Sequence, residues 1–199
     1  MTSKTRATFS IRPAKKNDAD DLANLVVMAG DGLPLVAWET MRQGGETAMD
    51  VGRRRARRPE GSFSYRNADV AVVGGKVVAA IVSYPLPPDT DPEPHNGVPP
   101  LFRPLVMLEN AVIPSWYINV LATYPAHQRQ GTATALLAGV EAPAKASGYD
   151  RMSLITGDIN PALQYYHRLG FEEISRTAIV KDGWDYGGKQ WVLMTKPIS

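Results

Sequence analysis

Gln128, Gly131 and Ala133 stand in a Gln-x-x-Gly-x-Ala spacing between two apolar stretches. Residues 118–122 have the length and the Ile/Val/Leu content of a buried strand. Pro125 ends any ladder, because it has no N–H to donate, and a polar turn follows over residues 126–130. Gly131, Thr132 and Ala133 then open a helix carrying Ala135, Leu136, Leu137 and Val140. Strand, tight turn and helix in that order present unpaired backbone N–H groups. With the helix dipole they make a site for an anion, typically a phosphate. Small residues at 131 and 133 let a phosphate approach the backbone. The spacing is not a Walker A loop, since no Lys-Ser/Thr pair follows the glycine. It is not a dinucleotide fingerprint either, since the triple glycine is missing.

A second stretch, residues 160–171, reads NPALQYYHRLGF. Asn160, Pro161 and Ala162 open a helix with proline in its first turn. Leu163, Tyr166 and Leu169 follow, and Gly170 ends it. By residue type alone Tyr166 is a core aromatic on the helix's apolar face, and Tyr165 packs on another face.

Taken together the two stretches resemble the paired signatures of the GCN5-related N-acetyltransferase (GNAT) superfamily, Q/R-x-x-G-x-G/A and N-x-x-A-x-x-x-Y-x-x-x-G-F. Ala162, Tyr166, Gly170 and Phe171 fall on the expected positions, and Asn160 lies one residue closer than the family has it. The resemblance covers roughly residues 116–195; residues 29–64 and a proline-rich insert match nothing. It implies an α/β (α+β) fold: a mixed twisted sheet of six to seven strands flanked by helices, with splayed central parallel strands. It implies acetyl-CoA as acyl donor, held by Leu121, Ala122, Thr123, Gln128, Arg129, Gln130, Gly131, Thr132, Ala133, Asn160 and Tyr166. The backbone N–H of Leu121 or Ala122 would serve as oxyanion donor, and Tyr166 would donate to the leaving thiolate.

Acyl transfer to an amine needs a neutral nucleophile, although an alkylammonium titrates near about 10.4. It also needs an oxyanion donor in place and a hydrogen bond for the thiolate. In histone-acetylating members a strand glutamate stands eleven positions before the first motif residue; here that position is Tyr117. No carboxylate occupies residues 116–123. Tyr117 and Asn119 share one strand face and either could hold an activating water. Glu109 is the nearest upstream carboxylate, with a solvated surface acid as the alternative reading. His127 reads as a loop residue. With no Cys in the chain, a Cys-borne acyl intermediate is excluded, so direct transfer in a ternary complex is expected.

The expected activity is N-acetylation of a primary amine, with a small molecule ahead of a lysine or protein N-terminus. A catalytically inactive acyl-CoA sensor is the alternative from another class. A net charge of +2 gives no case for nucleic acid or an anionic membrane. The run RRRARR over residues 53–58 reads as a helix C-terminus whose cations complement the dipole. The functional reading is a nucleic-acid or phosphate patch, with one arginine beside an acyl-CoA phosphate as a further role. Three His with no H-x-x-x-H pair and no Cys argue against a metal. No apolar leader or membrane-length run is present, so a cytoplasmic chain is expected. A homodimer is compatible with the family.

The remaining elements follow from periodicity. A first strand covers residues 9–12, then a helix capped by Asn17 or Asp18 runs to Ala29. Helical patches hold residues 35–41 and 46–58. A hairpin joins residues 68–73 and 76–84 through Gly74-Gly75, and Pro85 is expected to stop it. Residues 86–104 are proline-rich and acidic, with Asp89, Asp91 and Glu93. A small helix follows at 105–112, then the strand at 116–123. The helix after the phosphate loop extends to about 147, with Pro143 able to shorten it and Gly148 as its stop. Strands at 151–156, from Phe171, and at 190–195 complete the sheet, with 181–189 as a turn. At 199 residues one domain is expected, with the insert at about 85–110.

Overall fold

The computed structural model describes residues 8–89 and 98–199. Among the described residues seven strands and six helices follow one another: β1 Ser10–Pro13, α1 Ala19–Ala29, α2 Leu33–Glu39, α3 Ala48–Ala56, β2 Ala68–Val73, β3 Lys76–Leu86, α4 Arg103–Asn110, β4 Ser115–Thr123, α5 Thr132–Ala146, β5 Arg151–Gly157, α6 Ala162–Arg168, β6 Glu172–Ala178 and β7 Gln190–Pro197. The strand order is β1-β2-β3-β4-β5-β7-β6. The chain forms two compact units, Met1–Ser83 with Val120–Val140, and Tyr84–Asn119 with Glu141–Ser199.

In the first unit β1, β2 and β3 pair antiparallel. Gly74 (φ +55°) and Gly75 (φ +80°) make the tight turn of the β2–β3 hairpin. Two consecutive positive φ values there match the right-handed twist of the strands, which is why the Gly-Gly pair signals a hairpin. Leu22 and Leu25 of α1, Val51 of α3, Val70, Ile81 and Val82 of the strands and Leu136 of α5 are fully buried. α3 starts two residues later than its sequence pattern suggests, because Thr47 and Asp50 form a capping box. Gly52 is needed inside α3 for a packing reason. A Cβ there would land in the ring of Trp38, which stacks on Phe63 at 5.8 Å.

Asp18 does not cap α1 with its side chain. Its carboxylate instead takes both terminal nitrogens of Arg12 (2.7 and 2.9 Å) and the Lys15 N–H (2.7 Å). Two strong donors outcompete the helix amides for the same oxygens.

In the second unit β4 and β5 run parallel, with Trp116, Tyr117 and Ile118 opposite Met152, Ser153 and Leu154. β7 pairs antiparallel with both β5 and β6. Met152, Leu154, Leu193, Met194 and Phe171 make its core. Phe171 therefore precedes β6 as a core residue and does not begin the strand. The Ser115 and Ser153 hydroxyls meet at 2.7 Å in this apolar setting, each satisfying the other.

One proline departs from expectation and a second does not. β3 continues through Pro85 to Leu86; Pro85 is exposed, where no ladder N–H is demanded. α5 continues past Pro143 to Ala146. The carbonyl left without its donor belongs to Gly139, and both residues lie on the exposed face, where water can serve. Gly148, at φ +84°, ends the segment as expected.

Residues 181–189 are more ordered than a simple turn. Trp184 stacks on Tyr186 at 4.3 Å and on Trp191 at 5.7 Å. The Asp158 carboxylate receives the Lys189 N–H at 3.0 Å.

Candidate active site

Residues 124–133, expected to bind a phosphate, lie wholly in the first unit. The Tyr124 N–H donates to the Val78 carbonyl (2.9 Å), and residues Pro125–His127 form one 3-10 turn. The Gln128 side chain donates back to the Thr123 carbonyl at 3.2 Å, and Gln130 donates to the Ala126 carbonyl at 3.2 Å. Both glutamines thus fix the loop's shape. Arg129 (φ +59°) and Gly131 (φ +88°) adopt left-handed backbone. Left-handed residues at 129 and 131 bend the backbone sharply just before α5.

Gly131 is required by this conformation and not by crowding, since a Cβ there would meet nothing within 4 Å. α5 begins at Thr132, and its first backbone bond is Ala135 N–H to the Gly131 carbonyl (3.0 Å). The amides of Thr132 and Ala133 have no carbonyl within the helix to bond. Thr132 is buried, its hydroxyl 3.5 Å from that of Thr123. Leu121 is half-buried; Ala122 and Thr123 are buried. Bent backbone, open space at Gly131 and a helix start fit a pyrophosphate by shape and by charge.

The side chains suited to acid–base work lie in the second unit. Tyr117 on β4 is 4% exposed and hydrogen-bonds the Glu109 side chain of α4. Burial pushes its pKa well above the ordinary phenol value; the charge of Glu109 and the phenol of Tyr84 add to the rise. Glu109 is therefore not the solvated surface acid that its position outside the strand allowed: it is half-buried against a phenol. Tyr84, at the end of β3, sets its ring edge-on to Tyr117 at 5.7 Å. Its hydroxyl accepts from the Asn119 side chain at 2.8 Å. Tyr117 and Asn119 thus meet one partner, as expected for residues on one strand face.

Tyr166 on α6 is 7% exposed, its ring packed edge-on against Phe171 at 5.8 Å and near Tyr165 at 5.6 Å. Burial, followed by the neighbouring Tyr165, raises its pKa above the usual phenol range. Among the described residues nothing hydrogen-bonds its hydroxyl. Tyr166 also contributes to the raised pKa of Tyr117. Asn160 receives the Ala162 N–H on its side-chain oxygen at 2.9 Å and so holds the start of α6.

Sequence reasoning missed Tyr84, which it took only as the end of a hairpin strand. It lies 35 residues from Asn119, and no local pattern links them. Of the acidic insert, Asp89 is exposed, while Asp91 and Glu93 lie outside the described residues. Among the described residues no group of His, Asp and Glu could hold a metal ion, and no helix is long and apolar enough to cross a membrane.

A family model described as the acetyltransferase (GNAT) family matches residues 37–171. No curated protein sequence matches the chain. Among solved structures the fold is similar to that of an acetyltransferase at 21% identity and TM-score 0.65, covering 96% of this chain and 100% of that one. It is similar to an N-acetyltransferase from Staphylococcus aureus Mu50 at 20% identity and TM-score 0.65, covering 94% and 99%. A third likeness is to a structure of the NatC complex bound to Gag peptide and CoA, at 15% identity and TM-score 0.56, covering 96% and 99%.

Proposed function

Because the chain belongs to the acetyltransferase (GNAT) family, we propose that it transfers an acetyl group from acetyl-CoA to a primary amine in a ternary complex. The observation that carries this reading is Tyr166: a buried ring, a raised pKa and a hydroxyl that no described residue engages. Such a group keeps its proton at neutral pH and has it free to give to a leaving thiolate.

The rest of the chemistry is assigned to named groups. The amides and bent backbone of residues 129–133 hold the coenzyme's pyrophosphate. A backbone N–H at Leu121 or Ala122 faces the thioester carbonyl oxygen. Glu109 takes the amine's proton through a water ordered by Tyr117 and Asn119. The amine nitrogen then bonds the acetyl carbon, the carbon–sulfur bond breaks, the sulfur receives the Tyr166 proton, and the second proton shed by the nitrogen passes through water to restore the Tyr166 phenol. The acceptor is a small-molecule amine ahead of a lysine or protein N-terminus; acidic residues at 89, 91 and 93 favour a cationic small molecule.

The test is thiol release from acetyl-CoA across a panel of amines, polyamines, amino acids and peptides. Turnover with a small amine, lost in Tyr166→Phe, supports the reading. A stable acetyl-enzyme trapped without acceptor would overturn direct transfer, and coenzyme binding without turnover on any amine would make the chain a sensor.

A further inference from the structure

Tyr124 opens the turn that leads into α5, and its side chain has no part in the chemistry of acyl transfer. Its backbone is pinned on both sides. The N–H donates to the Val78 carbonyl of β3 at 2.9 Å, and the carbonyl accepts the His127 N–H at 2.8 Å. The half-buried side chain reaches away from the turn altogether. Its hydroxyl donates to Asp21 Oδ1 in the first turn of α1 at 2.8 Å, a bond between residues 103 positions apart. Asn24, three positions along α1, donates to the same phenol oxygen. Residues three apart share one helix face, so α1 holds the hydroxyl at two points. α1 is a fixed support, since Ala19, Leu22, Ala23 and Leu25 along it are fully buried. Burial, then the Asp21 carboxylate, pushes the Tyr124 pKa up to about 12, so the phenol stays a donor through neutral pH.

Gln128 and Gln130 bond the Thr123 and Ala126 carbonyls, which sets the curvature of the turn from within. Tyr124 instead ties it to a helix. We propose that Tyr124 and Asp21, with Asn24, are positioning residues that tether the turn to α1 and hold the amides of residues 129–133 ready for the coenzyme's pyrophosphate. A loop already held in its bound shape loses less freedom when the ligand arrives, so the tether is expressed as affinity. The bond is a strong one for its kind, because its acceptor is ionised. The inference rests on the reading of residues 129–133 as the pyrophosphate site and adds to it the side chains that keep that site in shape.

The experiment is calorimetric titration of the full chain with coenzyme A, joined to thiol-release kinetics with acetyl-CoA varied. Tyr124→Phe should weaken coenzyme binding and raise the KM for acetyl-CoA by about tenfold, as loss of a hydrogen bond to a charged group implies. Its kcat at saturating acetyl-CoA should stay near the wild-type value, since the tether acts on binding and not on the reacting atoms. Asp21→Ala should match Tyr124→Phe, and the double variant should bind no worse than either alone, because all three lack the same bond. Asp21→Asn keeps an acceptor oxygen and should bind better than Asp21→Ala. Wild-type coenzyme affinity in Tyr124→Phe and Asp21→Ala, additive losses in the double variant, or a fall in kcat with KM unchanged overturns the tether and leaves acyl transfer standing. A wild-type chain that does not bind coenzyme A overturns both. If Tyr124→Phe fails to fold, the affinities of Asp21→Asn and Asp21→Ala decide by the same criterion.

Discussion

Tyr166 holds its proton because water is excluded from its ring, not because a neighbour bonds its oxygen. The two causes lead to different behaviour. A hydroxyl already engaged would have to break a bond to protonate sulfur; this one does not. Tyr166→Phe should therefore lower kcat by ~10²–10⁴-fold, the range of general acid–base catalysis, while acetyl-CoA affinity by calorimetry stays near wild type. The raised pKa also keeps the phenol protonated past its usual value of about 10. No alkaline fall in kcat from this group is expected below that pH.

Glu109→Gln is the complementary test. Without a base, rate must follow the fraction of amine already neutral. Activity at pH 7 should drop by ~10²-fold and climb with pH toward the acceptor's own pKa; an unchanged pH–rate profile would return Glu109 to a structural role. At this scale the sequence revealed residue types and missed partners. Tyr117, Asn119 and Glu109 could be nominated from position, but the Glu109–Tyr117 and Asn119–Tyr84 bonds depend on how a helix and two strands meet.

Elements were more legible than contacts, since each is coded by its own periodicity and caps. The β2–β3 hairpin and its Gly-Gly turn follow from local chemistry. What local reading misjudged were residues whose neighbours decide: Pro85 is tolerated because its face is exposed, and Asp18 serves Arg12 and Lys15 in place of α1.

Asp18 makes a pH prediction. Its hydrogen bonds to Arg12, foremost, hold its pKa below the ordinary carboxylate range. A depressed folded pKa contributes stability that is complete above the unfolded value and lost as pH falls through the folded one. Asp18→Asn should cost ~2 kcal/mol in urea unfolding at pH 7 and should flatten the stability loss below about pH 4.

Gly157 ends β5 beneath Tyr186, and a Cβ there would land on the phenol oxygen. Gly157→Ala should destabilise by ~1–3 kcal/mol through overpacking. Adding Tyr186→Phe should recover part of that loss, which a purely backbone effect would not.

For the molecule as a whole, the fold class was readable because two signatures occur in order with strands around them. The strand order β1-β2-β3-β4-β5-β7-β6 was not, since it depends on long-range pairing. A ligand that binds only the folded chain must raise its stability, by ~2.7 kcal/mol at a hundred times Kd. For a chain of this size that is a rise in Tm of roughly 5–10 °C with saturating acetyl-CoA.

The most direct measurement is acetyl-CoA-dependent thiol release by the wild type and Tyr166→Phe, side by side, over the amine panel. Amine-dependent release by the wild type, falling at least about a hundredfold in the variant with coenzyme affinity intact, is the expected result. Equal rates in the two proteins, or no release above spontaneous hydrolysis with every amine, would contradict the assignment of Tyr166 and of acyl transfer to this chain.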